Sequence, residues 1–250
     1  MRITILGSGD SPGTPVIGCH CKTCENARRN GWERLRFSIL IENNGKTILI
    51  DTSPDMRRQL LRANVDKVDA VIWTHAHYDH FAGFGDFYRV QTRINVYSTP
   101  EVLEDVGKYF DYIKYREREV EVLKPFSLLG IDLMLIDVNH PPLRRAHGVV
   151  VFYKNHKIVI TGDTNIDIPK ESLEEMKNPD LLIVDALAPE GYKFKKHMNA
   201  AEALSLSKKL NAKKTRFVHV GHFYPPNSRY PLAKDFESFE FRGVTLEDFL

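Results

Sequence analysis

Seven consecutive residues, Thr74-His75-Ala76-His77-Tyr78-Asp79-His80, place three imidazoles and a carboxylate directly behind the apolar run Ala70-Val71-Ile72-Trp73. Imidazole and carboxylate together suit zinc, manganese, iron and nickel. On an extended or turning segment His75 and His77 point to one side while their neighbours point elsewhere. One ion can therefore take the first two histidines, and a second ion the Asp79-His80 pair. The competing reading is a solvated, His-rich loop. The whole chain has only ten histidines in 250 residues, so such crowding favours metal, and a double site.

A chain of 250 residues has ample material for a core without staples, as one large domain or two small ones. Apolar content of 42% and charged content of 27% are those of an ordinary globule. The net charge is only +2, so no global signal points to nucleic acid or to an anionic membrane. No apolar run approaches the length of a membrane span, and Met1-Arg2-Ile3-Thr4-Ile5 reads as a first strand rather than a signal peptide. The expected location is cytoplasmic, with no membrane partner, and a homodimer is left open.

Cys19, Cys21 and Cys24 are the only three cysteines and lie within six residues. An odd, crowded set is a poor disulfide framework and a plausible metal clip. Three thiolates need a fourth ligand, because structural zinc sites close at four. His20 is adjacent, but neighbouring positions seldom converge on one ion. Reduced cysteines packed as small apolar residues, or a redox group, are the alternatives.

Along the chain, the strand at Met1 to Leu6 ends in the turn-rich Gly7-Ser8-Gly9-Asp10-Ser11-Pro12-Gly13, which lacks the Lys and the following helix of a phosphate cradle. Phe37 to Ile41 and Thr47 to Ile50 read as a hairpin across an Asn-Gly turn. Asp51 follows, placed to cap a helix that starts near Pro54. Further strands are expected at Ile94 to Tyr97, Glu117 to Leu123, Ile131 to Val138, Val149 to Tyr153, Lys157 to Ile160, Leu181 to Val184 and Arg216 to Val218. Helices are expected from Pro100 and, behind an Asn199/Glu202 capping box, from Ala200. Asp51, His75, His77, His140, Asp163, Asp185 and His219 all fall just past strand ends, where loops collect catalytic groups. With no repeat or linker, residues 1–250 read as a single domain. Its expected class is α/β (α+β), with two stacked sheets flanked by helices.

The pattern His-x-His-x-Asp-His resembles the signature of the metallo-β-lactamase superfamily. Asp51-Thr52-Ser53-Pro54-Asp55 upstream and Thr161-Gly162-Asp163-Thr164 downstream keep the order of that superfamily. Within it the likeness is greatest to the cyclic phosphodiesterases of the carbon–phosphorus lyase pathway, and runs from about Ile5 to His222. The resemblance implies a four-layer αββα sandwich. It also implies that His222, in Val218-His219-Val220-Gly221-His222, closes the thiolate site on one structural Zn2+, and that Asp51 lies beneath the active-site metals and orients a ligand. Two divalent ions, Zn2+ or Mn2+, would then be held by His75, His77 and His140 and by Asp79, His80 and His219, with Asp163 between them. His147 competes with His140 for the first set.

The activity so implied is hydrolysis of a small phosphodiester, a cyclic ribose phosphate, by a hydroxide shared between ions about 4 Å apart. Asp79 would orient that nucleophile. His197, in Lys195-Lys196-His197-Met198-Asn199, precedes a helix N-terminus, and the family's matching histidine contacts the phosphate or protonates the leaving group. Lys193, Lys195 and Lys196 would favour an anion, although a solvated loop accounts for them equally. Two segments depart from the pattern, the loop after His140 and the tail after His222, and both would border the pocket. The alternatives are a nuclease that trims the 3′ end of precursor tRNA, whose long basic arm is not visible here, and a thioester or lactone hydrolase, which would want an apolar pocket.

Overall fold

In a computed structural model that describes residues 1–243, the chain forms two mixed sheets packed face to face. The first contains β1 (Arg2–Gly7), β2 (Ser38–Asn43), β3 (Lys46–Ile50), β4 (Ala70–Ile72), β5 (Asn95–Ser98), β6 (Arg116–Glu119) and β13 (Glu237–Glu240), in the order β13-β1-β2-β3-β4-β5-β6. The second contains β7 (Phe126–Leu128), β8 (Ile131–Asp137), β9 (His147–Tyr153), β10 (His156–Ile160), β11 (Leu181–Asp185) and β12 (Thr215–Val218), in the order β12-β11-β10-β9-β8-β7. Strands β3 to β6 run parallel, as do β10 to β12, and the remaining pairs are antiparallel.

Period-two alternation assigns each strand's side chains to two cores. Ile39, Ile41, Ile48 and Ile50 meet Leu133, Val149, Ile158 and Ile183 between the sheets. The intervening Leu40, Leu49 and Val71 face outward, under α2 (Met56–Ala63) and α4 (Pro100–Gly107). On the second sheet Val150, Val159, Leu182 and Val184 face outward, under α5 (Lys170–Met176) and α6 (Ala200–Lys209). The result is the αββα sandwich, with both sheets covered on both faces, which is what lets near-continuous runs such as Leu181–Asp185 be buried throughout.

The capping box at Asn199 forms in both directions, through Glu202 N to Asn199 Oδ1 and Asn199 N to Glu202 Oε2. Other local expectations are corrected. The strand expected over Glu117 to Leu123 is only Arg116–Glu119, an edge strand exposed at every position, and Leu123 turns back with φ 61°. Alternating Arg and Glu on that edge discourages further pairing. Asp51 does not cap α2, which starts at Met56 behind Asp55; its oxygens are taken by Thr74 and His80. The helix α1 (Lys22–Asn30), α5, β7 and β13 had no expectation at all.

Strand direction places the chemistry. The ends of β3, β4, β10, β11 and β12 lead into Asp51, the histidine motif, Asp163, Asp185 and His219. The sheets are stitched at this rim by bridges between His75 and Ala146 and between Gly9 and Val220. Loop ends of parallel strands are where α/β scaffolds put ligands.

Candidate active site and thiolate cluster

His75, His77, His140 and Asp163 each present one donor atom, and all four atoms lie within 4.8 Å of one another. His77 Nδ1 is 3.2 Å from His75 Nε2 and 3.0 Å from His140 Nε2. Asp163 Oδ2 lies 3.8 Å and 3.9 Å from the latter two. Asp79, His80, His219 and Asp163 form a second such set. There Asp163 Oδ2 is 3.2 Å from His80 Nε2 and 3.1 Å from His219 Nε2, and Asp79 Oδ2 is 3.4 Å from both. Ligands about 2.0–2.2 Å from a tetrahedral ion stand ~3.3–3.6 Å apart, so both sets have the spacing of a coordination sphere. The same oxygen of Asp163 belongs to both.

The residues fit metal on a further observation. His80 Nδ1 donates to Asp51 Oδ2 at 2.6 Å, which turns its Nε2 toward the cluster, where it is buried and makes no hydrogen bond of good geometry although the Asp163 and Asp79 carboxylates stand 3.2 and 3.4 Å away. Asp51 also accepts from the Thr74 hydroxyl at 2.7 Å, and Thr74 in turn lies 3.0 Å from His75 Nδ1. One buried carboxylate thus orients a histidine in each set. His140 Nδ1 is fixed by the Lys196 carbonyl at 3.0 Å. Asp51 and His219 both sit in left-handed backbone, φ 60° and 54°, a conformation that costs a non-glycine residue roughly 1–3 kcal/mol and here aims side chains from strand ends into one point.

Without ions the cluster's charges settle among themselves. Burial opposes charge on His219, but Asp163, Asp79 and Asp185 outweigh it and hold the imidazole up to about 9. His80 behaves likewise through Asp163, Asp79 and Asp51. Burial dominates at His140, which is held down to about 4, and at His75 and His77. Burial would raise the carboxyls of Asp79 and Asp163, but the imidazoles around them keep both well below the usual range.

His147 stands apart. It begins β9, with Nε2 2.9 Å from Thr99 Oγ1 and Nδ1 3.3 Å from Asp137, outside both donor sets. His197 lies beside the cluster, its ring stacked on His219 at 4.6 Å and across His140 at 4.8 Å. Its Nδ1 is 2.8 Å from Asp185 Oδ2, which also accepts from Thr164 N. Burial pushes the Asp185 carboxyl up. Asp185 had been placed at a strand end but given no partner; nothing in a sequence spacing of twelve residues says that the two side chains meet.

About the first turn of α1, the sulfurs of Cys19, Cys21 and Cys24 lie 3.2, 3.5 and 3.4 Å from His222 Nδ1. Cys21 is the N-cap of α1 and its sulfur accepts from Cys24 N. The Val16 amide donates to Cys24 Sγ at 3.3 Å. Burial raises the Cys24 thiol to about 11, whereas at Cys21 the opposing hydrogen bonds from Cys24, Cys19 and Thr23 outweigh burial and lower it. Three sulfurs and one imidazole at these separations fit a closed tetrahedral zinc site. His20 points instead to Glu25.

The family model for the beta-lactamase superfamily domain matches residues 46–220. An octanoyltransferase of Porphyromonas gingivalis is 31% identical over 90% of this chain and 47% of its own length. The chain spans about half the length of that protein and of the coenzyme PQQ synthesis protein B of Ruegeria pomeroyi, 31% identical over 55% of this chain and 52% of that one. A crystal structure of a new diphosphatase from the PhnP family superposes with a TM-score of 0.84 at 29% identity, covering 96% of this chain and 98% of that one. Zn(2+)-bound PqqB from Methylobacterium extorquens shares the fold, with a TM-score of 0.84 at 18% identity, covering 96% of this chain and all of that one, 100%. On the matched span, the sandwich and the rim cluster together, the chain belongs to the beta-lactamase superfamily.

Proposed function

We propose that the chain is a metal-dependent phosphodiesterase acting on a small phosphodiester, a cyclic ribose phosphate being the form that fits best. The observation that carries this reading is the Asp185–His197 pair beside the two donor sets. It adds a proton donor to a cluster that fits divalent ions, next to three lysines. The likeness to a PhnP-family diphosphatase supports phosphorus chemistry.

His75, His77 and His140 would hold one ion, Asp79, His80 and His219 the other, and Asp163 would serve both. Bound there, divalent cations supply Lewis acidity to a phosphoryl oxygen and lower the pKa of water toward neutrality. Asp79 is ionised and faces the cluster, so it can accept a hydrogen bond from the attacking water and hold it in line. With Nδ1–H held by Asp185, the imidazolium form of His197 carries a second proton on Nε2 that it can deliver to a departing alkoxide, leaving the neutral ring still donating to Asp185. Lys193, Lys195 and Lys196 are exposed on the adjoining loop and attract the anion. Cys19, Cys21, Cys24 and His222 would hold a structural zinc that ties the N-terminal loop to the chain beyond β12.

The test is a turnover panel on purified protein of known metal content. It contains bis-p-nitrophenyl phosphate, 2′,3′-cyclic nucleotides, phosphoribosyl cyclic phosphate, lactones, thioesters and precursor tRNA. Efficient turnover of small phosphodiesters, lost on chelation, is expected. Turnover of only the carbon esters, or of only precursor tRNA, would replace this reading with one of the other two.

A further inference from the structure

The loop that delivers His197 also carries two aromatic-and-lysine pairs and a further lysine, Tyr192-Lys193-Phe194-Lys195-Lys196. Its backbone is pinned at three carbonyls. Tyr192 O accepts from Asn199, Lys195 O from Asn165 and Lys196 O from His140. With the main chain so held, the side chains are turned outward, and Tyr192 remains 44% exposed. Phe223, 36% exposed, comes to the same place from the other side, immediately after His222. Tyr192 and Phe194 lie nearly parallel, 3° apart, with centroids 6.2 Å apart, and Phe223 is 5.1 Å and 6.0 Å from the two. Phe223 is itself fixed against the His222 ring at 4.7 Å, so the thiolate cluster sets its position.

Tyr192 and Phe223 leave apolar ring surface in water, which is unfavourable, and Phe194 beside them is half-buried. Phe194 is three residues from His197 and Phe223 four from His219, so neither is more than about 14 Å along the chain from the cluster. Aromatic faces interleaved with ammonium groups suit a π-face attached to phosphate, which is the combination found in single-stranded nucleic-acid and nucleotide recognition.

We infer that Tyr192, Phe194 and Phe223 form a subsite for the nucleobase of a nucleotide substrate, whose phosphodiester lies at the His/Asp cluster. The inference rests on the phosphodiesterase reading and narrows it to base-bearing substrates.

The test compares 2′,3′-cyclic AMP with phosphoribosyl cyclic phosphate, which lacks a base, on wild type, Tyr192→Ala, Phe223→Ala and the double variant. Loss of a stacking partner should raise KM for cyclic AMP by about 5- to 100-fold with kcat within about threefold, and leave the base-free substrate unchanged. Tyr192→Phe and Phe223→Tyr should restore binding, which separates stacking from a folding defect. A second readout needs no turnover: in saturation-transfer NMR, the base protons of 5′-AMP should receive magnetisation from wild type and not from the double variant, while ribose 5-phosphate behaves alike on both. Equal KM changes on both substrates, no preference of wild type for the base-bearing one, or a change in oligomeric state with nucleotide binding intact would each overturn the subsite. If no phosphodiester were turned over at all, the phosphodiesterase reading would fall, and the AMP measurement would still decide whether the rings bind a base.

Discussion

At the scale of single residues, the informative contrasts are between side chains that look alike in sequence. His140 and His147 are seven apart, yet one sits in a donor set with its Nδ1 held by a carbonyl, and the other is bound to Thr99 outside it. His147→Gln should therefore leave metal content unchanged, while His140→Ala should lower it; metal analysis of the two variants settles the assignment. His197→Ala should slow hydrolysis of a ribose cyclic phosphate by ~10²–10⁴-fold, as removal of a general acid does, with metal content unaltered. A nitrophenolate leaving group needs little protonation, so the same variant should lose far less on bis-p-nitrophenyl phosphate. Asp185→Asn keeps the ring nearby but loses the carboxylate that orders it, and should reproduce that substrate selectivity in weaker form. An equal loss on both substrates would make His197 a phosphate ligand instead.

At the scale of elements, the motif is held in place by a close approach of backbones. Gly83 follows the short helix α3 (Tyr78–Phe81), and a Cβ added to it would stand 1.9 Å from the Ser53 carbonyl oxygen in the β3–α2 loop. Both partners are main chain, so one of the two segments must move. Gly83→Ala should cost about 1–3 kcal/mol in a urea titration, the range for overpacking, and should weaken the ion that Asp79 and His80 hold, because both lie on α3. The thiolate cluster is the other element-scale device. Cys21→Ser should remove one tightly held zinc of an expected three ions per chain and lower stability, leaving the two chelatable ions bound. His219→Ala should do the reverse, abolishing turnover and sparing the zinc. Atomic absorption on the two variants reads both outcomes, and an exchange of the phenotypes would reassign His219 and His222.

At the scale of the whole molecule, buried titratable groups make the stability of the metal-stripped protein depend on pH. His219 is raised to about 9, so its contribution to stability is complete below its unfolded value near 6.5 and is lost as pH rises through 9. Asp10, raised to about 7 chiefly by burial, contributes fully below its unfolded value near 3.8 and loses that contribution as pH rises through 7. His140 is depressed to about 4, so its contribution is complete above 6.5 and is lost as pH falls through 4. Between about pH 4 and 6.5 the Asp10 and His140 contributions oppose one another, whereas above that range the loss at His219 has no counterweight among these groups, so the urea midpoint of chelator-treated protein should fall from pH 6.5 to pH 9. Ions replace the proton on His219 and must displace it, so zinc binding at pH 7.5 should release protons, seen as a buffer-dependent heat in calorimetry. A midpoint that climbed from pH 6.5 to 9 would contradict the charge pattern described.

Ligand types and their places along the chain could be read without any tertiary information. A dense His-x-His-x-Asp-His run behind an apolar strand, and carboxylates or histidines just past strand after strand, were legible because side-chain period and strand ends are local properties. The hairpins at Asn44-Gly45 and Lys154-Asn155 and the capping box at Asn199 were legible for the same reason. What tertiary structure alone decided was partnership. Asp51 sits 23 and 29 residues from the Thr74 and His80 that it binds, Asp185 meets His197, and three rings from two loops gather against one another. The strand β13 and the helix α1 escaped sequence reading, since a neighbouring strand or a cluster of sulfurs stabilises them more than their own periodicity does, and the strand expected over Glu117 to Leu123 is shortened to the edge strand β6. Local pattern fixes which groups reach the rim; only the packing of two sheets, with 140 residues between Asp79 and His219, brings their donor atoms to within 3.4 Å.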